Sequence, residues 1–329
     1  MQRRSMIRWT LGAAGAAASA AVAPLARAQG AFPTRPVTLV VPFGPGGATD
    51  QTARLVAEKL SARWGQQVLV ENRPGAGGNV GAALVARAAP DGHTLVLGVT
   101  GSHGINPALV PNMPYHPLRD FESLTQATIF PNAIAVHPGV PANTLAELVA
   151  LARSRPGRLS YGSDGNGTAS HLGMELIKAE AGVFMVHIPY RGGAAMLSDL
   201  VGRQIDAGLT GLPAALPLAR AGKLRLLAVT TAARVAAAPE VPTVAEQGFP
   251  NYVAAPWAGF FAPKGTPAPA TAKLADDLVW ALTQPDVRQR LAEGGSTVVA
   301  SRPEDFRRFV QQEIERWARA AKVSGAKLD

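Results

Sequence analysis

The sequence predicts an α/β protein of two lobes, and three observations carry that prediction. Short runs of β-branched residues alternate with Ala- and Leu-rich stretches that suit helices. The alternation breaks off in an irregular, Pro-bearing segment over residues 106–117 and then starts afresh. Glycine-rich turns recur at the ends of the strand-like runs and open the helical stretches after them.

Taken in order, residues 37–41 predict a strand and 48–64 a helix. Residues 67–71 are the next strand, 80–88 the next helix and 94–99 a third strand. These runs are nearly all apolar, as parallel strands covered on both faces are. After the irregular segment, 133–137 predicts a strand and 144–154 a helix with Thr144 or Asn143 as its cap. Residues 159–162, 184–188, 205–209 and 224–230 supply further strands with helices between them, and 257–262 one more. Three closing helices are expected over 271–282, 285–293 and 303–322. Consecutive helices build no third sheet, so they are expected to return to the first lobe, the chain crossing between lobes twice. The lobes are thus expected at 29–128 plus 254–329 and at 129–253.

The N-terminus is expected to be removed. Arg3, Arg4 and Arg8 precede an uncharged run of 16 residues rich in Ala and Gly, and Ala26-Arg27-Ala28 follows as an A-x-A pattern. That predicts a signal peptide cleaved after Ala28. A spanning helix needs about 20 strongly apolar residues, more than this run supplies. The arginine pair suits the twin-arginine route and equally the general secretory route, and both lead out of the cytoplasm to the periplasm. The chain has no cysteine, so it can carry neither a disulfide nor a lipid anchor on cysteine. The remaining 301 residues are enough for two cores. Loss of the four leader arginines takes the formal charge from +9 to +5. A mild positive excess suits anions, but no basic stripe points to nucleic acid.

The chemistry is carried by four glycine-rich turns. They are Pro-Phe-Gly-Pro-Gly-Gly-Ala-Thr-Asp (42–50), Gly-Ala-Gly-Gly-Asn-Val-Gly (75–81), Gly-Ser-Asp-Gly-Asn-Gly-Thr-Ala-Ser-His (162–171) and Tyr-Arg-Gly-Gly-Ala-Ala (190–195). A turn of this kind at a strand's C-terminal end presents backbone N–H groups at a helix start, where about half a positive charge resides. Glycine lets a ligand approach the backbone and permits positive φ. Open α/β sheets bind ligands at these strand ends. One such turn reads equally as a tight connection; four, two in each expected lobe, point to an anion site. Each charge-assisted bond to a carboxylate contributes about 1.5–3 kcal/mol, and a micromolar ligand needs about 8 kcal/mol net. Ser102, Ser163, Thr168 and Ser170 are candidate hydroxyl donors, with helix capping as the other reading of Thr168 and Ser170. Gly165, in the same turn as Ser163, is a further candidate for ligand contact.

The motifs resemble a known family. Val-Pro-Phe-Gly-Pro-Gly-Gly-Ala-Thr-Asp (41–50), Glu-Asn-Arg-Pro-Gly-Ala-Gly-Gly-Asn (71–79), Pro-Asp-Gly-His-Thr-Leu (90–95) and Ser-His-Gly-Ile-Asn-Pro-Ala-Leu (102–109) come in that order. Tyr-Gly-Ser-Asp-Gly-Asn-Gly-Thr-Ala-Ser-His-Leu (161–172), Pro-Tyr-Arg-Gly-Gly (189–193), Pro-Glu-Val-Pro-Thr-Val-Ala-Glu-Gln-Gly (239–248) and residues 257–267 complete the series. Together they resemble the Bug-type solute receptors of tripartite tricarboxylate transport systems. The resemblance implies the type II periplasmic binding fold, two α/β lobes joined by a hinge with the ligand cleft between them. It implies ligands such as di- or tricarboxylates, acidic amino acids or aromatic acids, membrane transporter subunits as partners, and no enzymatic activity. By motif, Phe43, Gly46 and Gly47 would face the ligand from one lobe; Ser163, Thr168, Gly192 and Gly193 would do so from the other. Asp164 departs from the family pattern, which has a small or neutral residue there, and is expected to point outward to solvent. Pointing inward, it would oppose an acidic ligand or favour one with an amine.

Catalytic and metal readings find little. The six histidines form no metal-type pair; His171 and Glu175, four apart on a helix, lack an evident third ligand. Ser170 and His171 are consecutive and do not face each other on a helix. No G-x-S-x-G elbow occurs. Gly75, Gly77 and Gly81 make a loose dinucleotide-like match without the acid expected after the next strand. Arg73 and Arg191 read either as carboxylate forks or as salt bridges holding their own loops. Asp206, ending a predicted strand, reads either as a contact to a ligand amine or polar group, or as a surface or packing residue. The expectation is therefore a monomeric periplasmic receptor for a small organic acid, with no cofactor or metal. A periplasmic sensor feeding a signalling receptor, and a periplasmic hydrolase or isomerase, are the alternatives.

Overall fold

The structure, a computed structural model, describes residues 32–190 and 192–325; the expected signal peptide and Arg191 lie outside the described residues. The chain opens with β1 (Val37–Val41), α1 (Ala48–Trp64), β2 (Val68–Asn72), α2 (Asn79–Ala86) and β3 (Thr94–Val99). Gly65 at φ 64° ends α1, with its N–H on the Ser61 carbonyl. A π-helical turn over Gly101–Ile105 runs into the short α3 (Asn106–Leu109), which opens the segment the sequence predicted as irregular. Then come β4 (Phe121–Ile129), β5 (Asn132–Val136), α4 (Leu145–Ser154), β6 (Ser160–Ser163), α5 (Ala169–Ala181), β7 (Val186–Pro189) and α6 (Gly193–Val201). The chain closes with β8 (Ala207–Gly211), α7 (Leu212–Arg220), β9 (Arg225–Val229), β10 (Trp257–Pro263), α8 (Ala268–Thr283), α9 (Pro285–Glu293), β11 (Thr297–Val298) and α10 (Pro303–Ser324).

Two sheets result. One has the order β11-β4-β10-β3-β1-β2 and the other β7-β6-β8-β5-β9. In the first, β1, β2 and β3 are parallel and β10 runs antiparallel to both β3 and β4. In the second, β6 is parallel to β7 and β8, while β5 is antiparallel to β8 and β9. Strand β4, absent from the sequence reading, is nearly all buried between β10 and β11. Its Thr125 hydroxyl donates to the Ser301 carbonyl at 2.7 Å, and the Gln126 N–H donates to the Ser301 hydroxyl at 3.0 Å. Those bonds satisfy two of the strand's polar groups, while the Ser123 and Thr128 hydroxyls and the Gln126 side-chain amide nitrogen are buried without a partner.

The sheets are joined by two chain segments lying side by side. Phe130 N–H donates to the Pro256 carbonyl at 2.7 Å, and Ala254 N–H to the Thr230 carbonyl at 3.2 Å. Leu212 N–H reaches the Pro131 carbonyl at 2.8 Å. Trp257 pairs with Ile129, and Asn132 with Gly211, so both sheets begin within a few residues of this double link. The parallel strands β1–β3 and β6–β8 all point their C-terminal ends toward it. The turns after them therefore face the gap between the sheets.

Helices α8 and α9 pack on α1 and the first sheet, as expected for closing helices. Helix α10 departs from that expectation along its second half. Phe306 and Val310 sit in a core with Val40, Phe121, Trp257 and Phe261 of the first sheet. Trp317, Ala320 and Ala321 sit instead in the core built on the second sheet with Leu148, Leu172 and Leu209. The buried Glu313 carboxylate lies between, one oxygen accepting from both the Trp257 indole at 2.8 Å and the Trp317 indole at 2.9 Å.

Candidate functional site: the facing helix starts

Turn one connects β1 to α1. Asp50 shapes it: one oxygen accepts from the Gly46 N–H at 2.9 Å and the Arg54 guanidinium at 2.8 Å, the other from the Asn72 amide at 2.9 Å. The same Asn72 amide donates to the Phe43 carbonyl at 2.9 Å. Burial pushes the Asp50 carboxyl up, but the bonds from Arg54, Gly46 and Asn72 together hold it below the usual range. This network fixes the backbone from behind and spends the Gly46 N–H internally. Gly47, at φ −78°, is the N-cap of α1 and brings no side-chain cap, so the first N–H groups of the helix remain turned toward the gap. A Cβ at Gly46 or Gly47 would meet nothing within 4 Å. Phe43 is exposed on the same turn, 41% of its surface accessible.

Turn two is built differently. Gly77 and Gly78 at φ 63° and 100° let its backbone lie against Gly101 and Ser102, and a Cβ at Gly101 would come within 2.9 Å of the Gly77 carbonyl. The Asn79 side chain accepts from Asn106 at 2.8 Å and from the Tyr115 hydroxyl at 2.9 Å. A surface hollow of about 420 Å³ beside it, walled by Val80, Ala83 and Leu84, opens on α2 and not between the sheets.

In the second sheet, turn three consumes most of its own donors. The Gly165 N–H donates to the Ser163 hydroxyl, the Asp164 N–H to the Ser170 hydroxyl and the Gly167 N–H to the His171 ring. Thr168 is the N-cap of α5, accepting from the His171 N–H at 3.3 Å and donating to the Gly165 carbonyl at 2.7 Å. Turn four leaves α6 open in the way α1 is. Gly192, at φ 108°, is its N-cap, with no side-chain cap and nothing within 4 Å of a Cβ. Gly193 has the opposite surroundings: a Cβ there would lie 2.3 Å from the Thr210 hydroxyl and 3.0 Å from an Asp164 oxygen.

The sequence candidates therefore divide. Phe43, Gly46 and Gly47 come together on one side of the gap, and Gly165, Thr168, Gly192 and Gly193 on the other. Ser102 and Ser163 are fully buried. The Ser102 hydroxyl bonds Val99 and the His103 ring, and the Ser163 hydroxyl shares a 2.7 Å bond with His187. Neither is presented to the gap. Asp206 precedes β8 and accepts from the Ser160 N–H at 2.8 Å, at the end of the sheet away from the turns. It lies about 13 Å along the strand from Thr210. Arg73 pairs with Glu71, its own strand neighbour, which favours the loop-holding reading.

Asp164 is a correction. Its carboxyl points inward, accepting from the Thr210 hydroxyl at 2.7 Å, and burial pushes its pKa up while Thr210 and Ser170 pull it down. Sequence reasoning overlooked Thr210, whose signal was its place at the end of a predicted strand, and Asp50 and Asn72, which stood inside motifs already singled out. His171 is buried: its ring stacks on His187 at 4.0 Å, and Glu175 accepts from the Tyr161 hydroxyl. Burial, then the neighbouring His171, push the His187 pKa down to about 4, so the stacked pair is uncharged near neutrality. Among the described residues no group of three or more His, Cys, Asp and Glu side chains is placed to hold a metal ion.

The arrangement can do one thing readily: offer peptide N–H groups to an anion from two sides of a gap. Residues 52–325 match the family described as the tripartite tricarboxylate transporter family receptor. The protein BugT of Bordetella pertussis is 36% identical over 90% of this chain and 91% of its own. An R. palustris protein solved with adipate is 40% identical, covering 90% of this chain and 100% of that one, with a TM-score of 0.80. MatC from Rhodopseudomonas palustris, solved with bound malate, is 37% identical over 88% of this chain and 99% of that one, with a TM-score of 0.75. With most of its length matched and a two-lobed α/β fold, the chain belongs to the tripartite tricarboxylate transporter receptor family, among the Bug-type solute-binding proteins.

Proposed function

We propose that the protein is a periplasmic solute receptor that captures a small carboxylate between its lobes. The observation that carries this reading is that α1 and α6 start after glycine N-caps, Gly47 and Gly192, with no side-chain cap and nothing within 4 Å of a Cβ, one on each sheet and both at the linked edge. Each end offers N–H donors and a positive potential without a cationic side chain. Phe43, Gly47, Gly192 and Gly193 contact the guest, while Asp50, Asn72 and Thr168 hold the turns. Gly46 and Gly165 give the backbone its path, with φ of 89° and 134°.

The lobes are residues 29–128 with 254–329, and 129–253, the last helix reaching from the first onto the second. The acids named with the adipate- and malate-bound relatives support a carboxylate guest. The protein is exported by the N-terminal leader cleaved after Ala28, acts as a monomer without catalysis, and in its closed form is recognised by the membrane subunits of a tripartite transporter. Closure requires only that the guest bind the closed arrangement better than the open one.

A thermal-shift screen against organic acids and amino acids tests this. A ligand at 1,000 times its dissociation constant adds about 4 kcal/mol, a shift of several degrees in melting temperature. Silence across a broad acid panel would overturn the carboxylate reading.

A further inference from the structure

The two half-sites differ in where they keep their acid. On the α1 side the Asp50 carboxylate is 3% exposed, and its oxygens are taken by Gly46, Arg54 and Asn72. Nothing negative stands between that helix start and the gap among the contacts of turn one. On the α6 side Asp164, first residue after β6, sits in the turn itself. Its oxygen is on the Thr210 hydroxyl at 2.7 Å and would lie 3.0 Å from a Cβ on Gly193, the first residue of α6. The seat that a guest's acid group would take at this helix start is therefore shared with a resident carboxyl.

A second carboxylate of the guest brought to about 4 Å from Asp164 would be opposed by roughly a thousandfold in affinity at the effective dielectric of a part-buried site. An ammonium in the same place gains a charge-assisted bond, about tenfold to hundredfold. The Thr210 hydroxyl fixes the carboxyl's direction, so the seat is already oriented for a donor.

We propose that the guest is a carboxylate that also carries a protonated amine, its carboxylate on the α1 turn and its ammonium on Asp164. This rests on the receptor reading above and narrows its ligand class. It also gives Asp164 a specificity-determining role.

The experiment is calorimetric titration of the exported protein with matched pairs: succinate against aspartate, glutarate against 4-aminobutyrate, and adipate against 2-aminoadipate. Asp164→Asn and Asp164→Ser are titrated in parallel, the first keeping an acceptor for Thr210 so that the turn stays folded. The expected result is at least one amino compound bound tenfold or more tighter than its amine-free partner, with both variants erasing or reversing that preference. Amine-free diacids bound as tightly as, or tighter than, their partners by the wild type would overturn the inference and leave the carboxylate receptor standing. So would a preference for the amine that both variants retain. If none of these compounds binds, the inference falls, and silence across the broad acid panel as well takes the receptor reading with it.

Discussion

Asp50 and Asp164 are two acids beside two helix starts, and their environments drive them in opposite directions. Asp50 is set behind its turn and given a guanidinium, an amide and a peptide N–H, which hold its carboxyl below the usual range. Asp164 is set inside its turn, where burial outweighs the bonds from Thr210 and Ser170 and raises its pKa. The lesson is that a carboxylate's effect on an anion seat depends on which side of the backbone it occupies. From behind it organises the donors; from within it competes for them.

That contrast can be broken in four ways, the most disruptive first. Gly193→Val forces a Cβ against Thr210 and Asp164, so acid binding should fall about hundredfold or more, with stability lower by about 1–3 kcal/mol. Calorimetry and urea melts report the two effects, and unchanged affinity would take the α6 start out of the site. Asp50→Ala strips the acceptor from Gly46, Asn72 and Arg54 together, and should lower the unfolding free energy by about 2–3 kcal/mol. Gly47→Ser supplies α1 with its own cap in open space, so stability should rise by a few tenths of a kcal/mol while affinity drops about tenfold. A loss of both would mean the turn was distorted and not merely filled.

The smallest effect is a matter of sign. A raised folded pKa means the native state holds its proton longer than the unfolded chain, whose aspartates titrate near about 3.9. Asp164 therefore makes stability fall as pH rises from that value through its folded pKa, and Asp164→Asn should flatten the decline, by under about 1 kcal/mol. Asp50 works the other way: its contribution is present above the unfolded value and is lost as pH falls through the depressed folded one. Asp50→Asn should flatten the acid limb instead. Urea midpoints from pH 3 to 8 for the two variants separate the slopes.

Much of this architecture was legible in the residues. The bounds of β1, α1, β3 and α9 agree with the sequence reading because each is apolar or periodic and ends at a Gly or Pro signal. Strand β4 was not legible, since Glu122, Ser123, Thr125, Gln126 and Thr128 break the pattern; the Thr125 hydroxyl and the Gln126 N–H find their partner on Ser301, 175 residues from Gln126. The placement of the glycine-rich turns was legible, but which of their N–H groups stay available was not. Whether Gly46 or Gly165 keeps its donor depends on Asp50 and Ser163 folding back onto it. Asp164 faces inward because Thr210, from another strand, waits there, and no local pattern announces that meeting.

Helix α10 has a mechanical consequence. Phe306 is rooted in one core and Trp317 in the other, about 16 Å further along the rod. Any change in the angle between the halves must be absorbed within those three turns, around the carboxylate that joins Trp257 to Trp317. The rod thereby limits the molecule to swinging about a pivot. Sliding one half past the other would tear an indole from its buried acid.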